Sequence, residues 1–343
     1  MADHTYIEWT DATWNIVTGC SLVSPGCTNC YAMKLAGTRL RDHPSRQGLT
    51  ADSKAGPVWN GQVRFNAQWL DQPLRWTKPR KIFVCAHGDL FHDGVSDDWL
   101  DQIFAVMALC PQHVFQILTK RPERMRAYLQ GRPHSRWLDA IRRIQPPAEG
   151  QGVILSTTNG MLPNVWLGVS VEDQARADER IPVLLDTPAA VRWISAEPLL
   201  GPVDLQHIEV EAPGRTFRNA LTGAGLGRID GPFVPLADLE SRLDWVVVGG
   251  ESGPGARPMH PDWARSLRDQ CAAAGTPFLF KQWGDYLPQD QTDASGLEWA
   301  VGHSDPRNHD WEPQGFASIR IGKKAAGRLL DGVQHDGYPE VQS

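Results

Sequence analysis

Seven short apolar runs place the strongest constraint on how this chain of 343 residues can fold. Each run has four or five residues, is rich in β-branched or aromatic side chains, and shows little alternation of apolar with polar positions. Strands buried on both faces of a parallel sheet have this character. We therefore predict seven parallel strands, at residues 14–17, 82–85, 114–118, 165–169, 191–194, 245–248 and 277–280.

Helical patterns lie between several of these runs. Ser96 is a favourable N-cap for one helix, and Pro261 begins a second helix that Gly275 ends. Strands that alternate with helices form right-handed βαβ units. The predicted fold class is therefore α/β, with a complete or partial (β/α) barrel of the TIM type. Shorter helices are predicted over residues 124–129, 180–185 and 323–330.

Three segments interrupt this alternation, and we interpret them as insertions that cover the barrel. Residues 42–80 are rich in Gly, Pro and Trp, whereas residues 131–163 and 201–243 are irregular. The predicted organisation is a barrel over residues 1–290 and a C-terminal extension over residues 291–343 that packs on it.

Polar or glycine-rich residues follow nearly every predicted strand. The carboxyl ends of parallel strands form the active face of α/β folds, so this pattern predicts an enzyme. The clusters lie at residues 18–20, 87–89, 119–121, 170–173, 195–197, 249–253 and 281–283.

Four tryptophans lie in or near the loops over this predicted face. Aromatic platforms can stack nucleic-acid bases, but large anchors are also what a Gly- and Pro-rich cover needs for its own core. We favour the anchoring role. The four residues are Trp59, Trp69, Trp76 and Trp283.

The charge balance limits the classes of partner. The chain has 34 Lys and Arg residues against 40 Asp and Glu residues, a net charge of −6, which argues against a global positive field for nucleic acid but allows a local basic groove. No apolar stretch reaches the ~18 residues of a membrane span, so we expect no membrane partner. The N-terminal residues lack the pattern of a signal peptide, which predicts a cytoplasmic location.

Three of the six cysteines fall within eleven residues, directly after the first predicted strand. Cys20, Cys27 and Cys30 form a C-x6-C-x2-C pattern, and in a reducing compartment such a trio indicates metal binding or catalysis. Three thiolates can bind three irons of a [4Fe–4S] cluster and leave the fourth iron open to a small molecule.

Other readings of the cysteine trio remain open. Zinc would need a fourth ligand, for which His4 or His87 is available, and would suit an interaction module that binds nucleic acid or protein. A redox CxxC motif is a further alternative. A hydrolase without a cluster would instead use Glu172, Glu197 and Glu251.

The cysteine loop, which ends in Cys-Thr-Asn-Cys-Tyr-Ala, resembles the radical S-adenosylmethionine (radical SAM) enzymes. Most of those enzymes separate the first two cysteines by three residues and place an aromatic residue before the third. Here the first gap is six residues and Asn29 takes the aromatic position. Almost the whole chain also resembles a phage- and prophage-encoded family of largely unassigned function, the three-Cys-motif proteins. This resemblance is carried by residues 14–32, 118–125, 166–174, 195–205, 245–260, 278–283 and 323–332.

The resemblance implies a [4Fe–4S] cluster and S-adenosylmethionine as cofactors. It implies Cys20, Cys27 and Cys30 as iron ligands, and a 5′-deoxyadenosyl radical that abstracts hydrogen from an unreactive carbon. The residues that we expect to bind S-adenosylmethionine are Tyr31, Glu172, Gly249, Gly250 and Glu251. The expected catalytic residues are Lys120, Glu197 and Lys281.

Structural roles compete with several of these assignments. The two glycines could simply form a tight turn, and each glutamate could belong to a structural ion pair. Lys120, Arg121 and Lys281 suit the carboxylate of S-adenosylmethionine or a substrate phosphate.

The phage setting of the resemblance implies a substrate class. The expected reaction is the rearrangement, of isomerase type, or the functionalisation of a modified nucleobase in phage DNA, with the base flipped or read on an exposed strand. DNA repair like that of spore photoproduct lyase is the alternative. An electron donor such as flavodoxin is the implied protein partner.

Overall fold

A computed structural model describes residues 5–131, 133–145, 155–157, 160–211, 216–228, 233–235, 240–291, 307–311 and 316–340. The helices are α1 (Tyr31–Gly37), α2 (Asp97–Ala108), α3 (Pro122–Gln130), α4 (His134–Ile144), α5 (Gln174–Leu185), α6 (Pro261–Ala274) and α7 (Lys323–Ala326). None of the helices in this described part of the chain has the length and apolar character that crossing a lipid bilayer requires.

The strands fall into one parallel sheet and several smaller antiparallel ones. Those before residue 171 are β1 (Ala12–Trp14), β2 (Val17–Thr18), β3 (Thr50–Ser53), β4 (Gly56–Trp59), β5 (Arg64–Phe65), β6 (Lys81–Val84), β7 (Val114–Thr119) and β8 (Val165–Ser170). Those that follow are β9 (Val191–Ala196), β10 (Ile208–Glu211), β11 (Thr216–Arg218), β12 (Gly225–Arg228), β13 (Phe233–Pro235), β14 (Trp245–Gly249), β15 (Phe278–Gln282), β16 (Tyr286–Pro288), β17 (Asn308–Trp311) and β18 (Phe316–Arg320).

Six of the seven predicted apolar runs lie largely within strands of one seven-stranded sheet, in the order β1-β6-β7-β8-β9-β14-β15. The run 14–17 contributes only Trp14, the last residue of β1, because Val17 begins β2, which pairs antiparallel with β5. Every pair of these strands with a defined register is parallel, as in β6 and β7, where Ile82 lies opposite Phe115. The predicted α/β class is confirmed, and this strand order is compatible with a partial (β/α) barrel.

The first compact unit comprises residues 1–169 and 183–192. Its helix α2 begins as predicted, because the Ser96 hydroxyl accepts a hydrogen bond from the Trp99 amide at 3.3 Å. The apolar face of α2, including Phe104, is fully buried, and Phe104 stacks on Trp137 of α4 with ring centroids 5.0 Å apart. The expectation that residues 131–163 are irregular was therefore wrong for α4, since Trp137 provides an apolar anchor for a helix there.

The second unit comprises residues 170–182 and 193–343. Helix α6 agrees with its prediction, since Pro261 occupies its first turn and Gly275 ends it with a φ of 69°. The segment 201–243, which was also expected to be irregular, contains the antiparallel sheet β10-β11-β12-β13. Its strands are only three or four residues long, too short to show a periodic pattern.

Residues near the C-terminus cover the outer edge of β15. The Gly337 amide donates to the Phe278 carbonyl at 2.9 Å, and the Phe280 amide donates to the His335 carbonyl at 3.0 Å. These bonds satisfy edge groups that would otherwise be open to pairing. Helix α7 is shorter than predicted because Gly327, with a φ of 69°, follows its last residue.

Buried indole rings fasten distant segments to the strands. The Nε1 atom of Trp14 donates to the Trp69 carbonyl at 2.7 Å, and that of Trp283 donates to the Leu329 carbonyl at 2.8 Å. Trp245 does the same to the Gly337 carbonyl at 2.7 Å. Of the four tryptophans assigned to the cover, Trp59, Trp76 and Trp283 are buried, as anchors should be, and Trp69 is half-buried.

Candidate functional site

The cysteine loop begins directly after β2, which pairs antiparallel with β5. Gly19, with a φ of 94°, makes this exit possible, because a Cβ there would lie 2.2 Å from the Gln62 carbonyl oxygen. Cys20 follows it, Cys27 closes a short 3₁₀ turn, and Cys30 precedes the first residue of α1. All three are free, half-buried thiols.

Arg121 links Cys20 to a buried carboxylate. Its Nη1 atom lies 3.6 Å from the Cys20 sulfur and 3.0 Å from Asp89 Oδ2. The arginine follows β7 with only one residue between them, and Asp89 lies in the polar cluster after β6, so adjacent strand ends bring the two side chains together. The arrangement places a paired positive charge beside one candidate ligand sulfur.

A second set of bonds holds the residue after Cys20. The Ser21 hydroxyl accepts a hydrogen bond from Arg121 Nη2 at 2.7 Å and lies 3.0 Å from His92 Nε2. The Nδ1 atom of His92 accepts the Gly94 amide at 3.0 Å, so the neutral ring carries its proton on Nε2 and donates it to Ser21. Burial lowers the pKa of His92, which favours this neutral form.

The Cys20 thiol is held in its protonated form. Burial, reinforced by the negative charge of Asp89, raises the pKa of Cys20 to about 12, although Arg121 opposes the rise. Metals bind the thiolate, so a metal has to displace this proton when it binds.

The donors of this loop fit an iron–sulfur cluster in kind. Three thiols lie on one loop, half-buried and free of disulfide bonds. Within the described ranges, no three His, Cys, Asp or Glu side chains stand close enough together to hold a metal ion. Binding would therefore have to draw the three sulfurs of the loop together.

Of the two histidines considered as zinc ligands, only His87 lies among the described residues. His4 lies outside the described residues. His87 follows β6, and its Nδ1 atom is buried without a hydrogen-bond partner. Burial, with the positive charge of Arg46, lowers the pKa of His87 to about 4, so this ring is neutral at physiological pH.

Tyr31 and Lys120 lie near the same loop. The Tyr31 ring is 51% exposed, its hydroxyl donates to the Ala86 carbonyl at 2.6 Å, and its edge faces His87 with ring centroids 5.8 Å apart. The Lys120 amide donates to Asp89 Oδ2 at 3.1 Å. The first unit thus brings together the cysteine loop, Tyr31 and the backbone of Lys120.

In the second unit, Glu197 and Lys281 form an ion pair between the ends of β9 and β15, the two strands that flank β14. Lys281 Nζ lies 2.7 and 2.8 Å from the two oxygens of Glu197, and Gln282 Nε2 donates to Oε1 at 3.1 Å. The side chains of the pair keep 19% and 13% of their surface exposed. A ligand could still reach this pair.

Local packing accounts for the two glycines at the end of β14, of which Gly249 is its last residue and Gly250 follows it. A Cβ at Gly250 would lie 1.9 Å from the Trp283 carbonyl oxygen, and one at Gly249 would lie 3.2 Å from the Glu197 carboxyl carbon. Glu251 is held by Arg257, whose Nε and Nη2 atoms donate to its two oxygens at 2.8 and 2.6 Å. The structural reading of this triplet is therefore well supported.

Glu172 also has a structural partner. Its Oε2 atom accepts a hydrogen bond from Arg180 Nη1 at 2.8 Å, and neither side chain is more than 1% exposed. The same nitrogen donates to the Ser170 carbonyl at 2.9 Å. As placed, Glu172 has no surface to offer to S-adenosylmethionine.

Several polar residues of these clusters were not predicted as functional. Ser21 lies within the cysteine motif at an unassigned position and His92 lies in no motif, and the contacts of Ser21 depend on the position of Arg121. Arg46 lies in the segment 42–80 that was interpreted only as cover. Its burial cannot be read from the sequence, because arginines in loops are usually exposed.

Comparison with known proteins identifies the family of this chain but not its activity. The searches of curated proteins and of solved structures found no match. A family model described as a protein of unknown function, DUF5131, matches residues 4–339. Because this match spans nearly the whole chain, the chain belongs to the DUF5131 family.

Proposed function

We propose that this protein is a radical SAM enzyme. The observation that carries the proposal is the cysteine loop: Cys20, Cys27 and Cys30 follow β2, a short distance after β1 of the parallel sheet, and the guanidinium of Arg121 lies 3.6 Å from the first sulfur. We further infer that the sheet belongs to a partial barrel of the TIM type.

The proposed roles of the residues in the first unit follow from their contacts. The three cysteines hold a [4Fe–4S] cluster, which when bound supplies the electron that cleaves S-adenosylmethionine to methionine and a 5′-deoxyadenosyl radical. Arg121 holds the start of the loop in place through its contacts with the Cys20 sulfur and the Ser21 hydroxyl. The half-exposed Tyr31 ring is available to contact the cofactor.

In the second unit, Glu197 and Lys281 remain the proposed catalytic residues, since their ion pair keeps an accessible surface. Lys120 remains the third. The proposed substrate is a modified nucleobase in phage DNA, which is rearranged or functionalised, and a flavodoxin-like protein is the proposed electron donor. The family resemblance supports this substrate and this donor.

The proposal is tested by anaerobic reconstitution of the full chain with iron and sulfide, followed by incubation with S-adenosylmethionine and dithionite. We expect about four irons per chain, a brown chromophore and formation of 5′-deoxyadenosine. The Cys27→Ala variant should lose cluster and cleavage together.

Cys271→Ala is the matched control, because Cys271 is fully buried in α6 and far from the loop in sequence. It should retain both the iron and the cleavage. Iron loading that survives in Cys27→Ala, or a reconstituted protein that holds only zinc and cleaves nothing, would overturn the proposal.

A further inference from the structure

Arg46 is a buried cation without a carboxylate partner in the described chain. Its side chain belongs to a residue only 5% exposed, and its Nε atom is buried without a hydrogen-bond partner. A guanidinium has five N–H donors, and here only Nη1 has a described acceptor, the Ser45 hydroxyl. Burying a charge in this way is costly unless an anion compensates it.

The neighbours of Arg46 add no negative charge at physiological pH. The guanidinium acts electrostatically on Cys85, Tyr31 and His87. Burial raises the pKa of Cys85 to about 12, so its thiol is neutral, and the His87 ring is neutral as well. The Nδ1 atom of His87 is a second buried polar atom without a described partner.

The backbone around Arg46 is fixed, which argues against a side chain that is buried by accident. Arg64 donates to the Pro44 carbonyl at 2.5 Å and to the Gln47 carbonyl at 2.7 Å. The Thr18 hydroxyl, at the end of β2, donates to the Ser45 carbonyl at 2.6 Å. These bonds hold the backbone of residues 44–47 in place without any contribution from the Arg46 side chain.

We propose that Arg46 is the anchor of an oxyanion site in the first unit, which binds a carboxylate or phosphate group of a ligand. A planar guanidinium with free parallel donors matches either group in a bidentate manner.

This inference does not depend on iron–sulfur chemistry, so its test uses the full chain without added iron. Inorganic phosphate, acetate and thymidine 5′-monophosphate are titrated at constant ionic strength, with the Tm and calorimetric binding as readouts. The wild-type chain should show a saturable rise in Tm with at least one of the three probes. Phosphate and the nucleotide point to a phosphate ligand, and acetate points to a carboxylate.

Arg46→Met should weaken this binding by at least about tenfold, because a charge-assisted bidentate contact is lost. Without any probe, its Tm should equal or exceed that of the wild type, since an uncompensated buried charge has been removed. Arg46→Lys keeps the charge without the planar fork and should bind at an intermediate strength.

Arg41→Met is the matched control, since Arg41 lies five positions earlier and its side chain is 61% exposed in a surface pair with Asp52. It should bind the probes as the wild type does. The inference is overturned if the wild type responds to none of the probes, or if Arg46→Met and Arg46→Lys both keep the full response.

Discussion

Asp89 is the residue on which the hydrogen bonds near the cysteine loop converge. Its Oδ1 atom accepts from the Thr119 hydroxyl at 2.7 Å and from the Phe91 amide at 2.9 Å. Its Oδ2 atom accepts from Arg121 at 3.0 Å and from the Lys120 amide at 3.1 Å. One carboxylate thus organises two strand ends and supplies the only charge that neutralises Arg121 among the described contacts.

We expect Asp89→Asn to lower the free energy of unfolding by about 3 kcal/mol, because Arg121 is left buried with no counter-charge. Urea denaturation at pH 7 measures the loss. Asp52→Asn is the control, since Asp52 pairs with Arg41 at the exposed surface and should change stability by less than about 0.5 kcal/mol. Equal losses in the two variants would contradict the role given to Asp89.

At the scale of elements, the packing of two chain segments depends on glycine. Gly250 follows β14, and Gly284 lies after β15. The backbone beside each glycine occupies the space that a Cβ on the other would need. A Cβ at Gly284, which has a φ of 82°, would lie 2.1 Å from the Glu251 carbonyl oxygen. This close approach keeps the segments that follow β14 and β15 in contact.

Gly250→Ala should therefore destabilise the protein by about 3 kcal/mol, because the Trp283 backbone has to move to admit a methyl group. Gly201→Ala provides the comparison. A Cβ at Gly201 would meet its nearest neighbour, Asp173, at an ordinary 3.5 Å, so this variant should stay near the wild type in thermal and urea unfolding. A Gly250→Ala protein as stable as Gly201→Ala would show that the approach is not constraining.

The elements of the parallel sheet could be predicted from the sequence because burial on both faces leaves continuous apolar runs, as in β14, where all five residues are buried. Helix α6 was predictable from Pro261 and Gly275, which act locally. Helix α4 and strands β10 to β13 were missed. Helix α4 does carry a local signal, because Trp137, Ala140 and Ile141 follow helical spacing and are all buried. Strands β10 to β13 are only three or four residues long, too short to show a periodic pattern.

At the scale of the whole molecule, one carboxylate in the second unit joins stretches that lie far apart in the sequence. Asp331 receives hydrogen bonds from Arg265 at 2.6 Å and from Arg268 at 2.6 Å, both on α6. Gln291 donates to the same carboxylate at 2.9 Å. One acidic residue thus connects three separate stretches of sequence.

Asp331→Asn tests this connection, and asparagine suits the left-handed φ of 52° at this position. Hydrogen bonds from Arg265, with those from Gln291 and Arg268, hold the pKa of Asp331 well below its usual range. A depressed folded-state pKa stabilises above the unfolded-state value of about 3.9 and loses that effect as the pH falls towards the folded-state value. We expect a loss of about 1 kcal/mol at pH 7, since the carboxylate is partly exposed to screening solvent.

The difference between wild type and Asp331→Asn should persist from pH 7 to about pH 5 and shrink below about pH 4. Urea unfolding at these pH values measures it. Asp186→Asn is the control, because Asp186 makes a single surface contact of 3.5 Å with Arg126. A difference that grows as the pH falls would have the wrong sign for this account.

The site itself was predictable only in part. The cysteines could be identified because all three fall within eleven residues of sequence. Glu197 and Lys281 could be identified because each lies in the polar cluster that follows a predicted strand. Arg46 could not be found in this way. What makes it unusual is that no carboxylate among the described residues pairs with it, a property that exists only once residues 18, 45 and 64 have been brought around it.

The indole–carbonyl hydrogen bonds of Trp14, Trp245 and Trp283 allow intrinsic tryptophan fluorescence to report when the bonded segments detach. Each ring sits in a dry environment, with its polar edge occupied by one particular segment. When such a segment detaches, its indole meets water and its emission shifts to the red. Replacing the rings one at a time with phenylalanine would then assign each part of the spectral change to the stretch near residue 69, 329 or 337, with no dye or label attached.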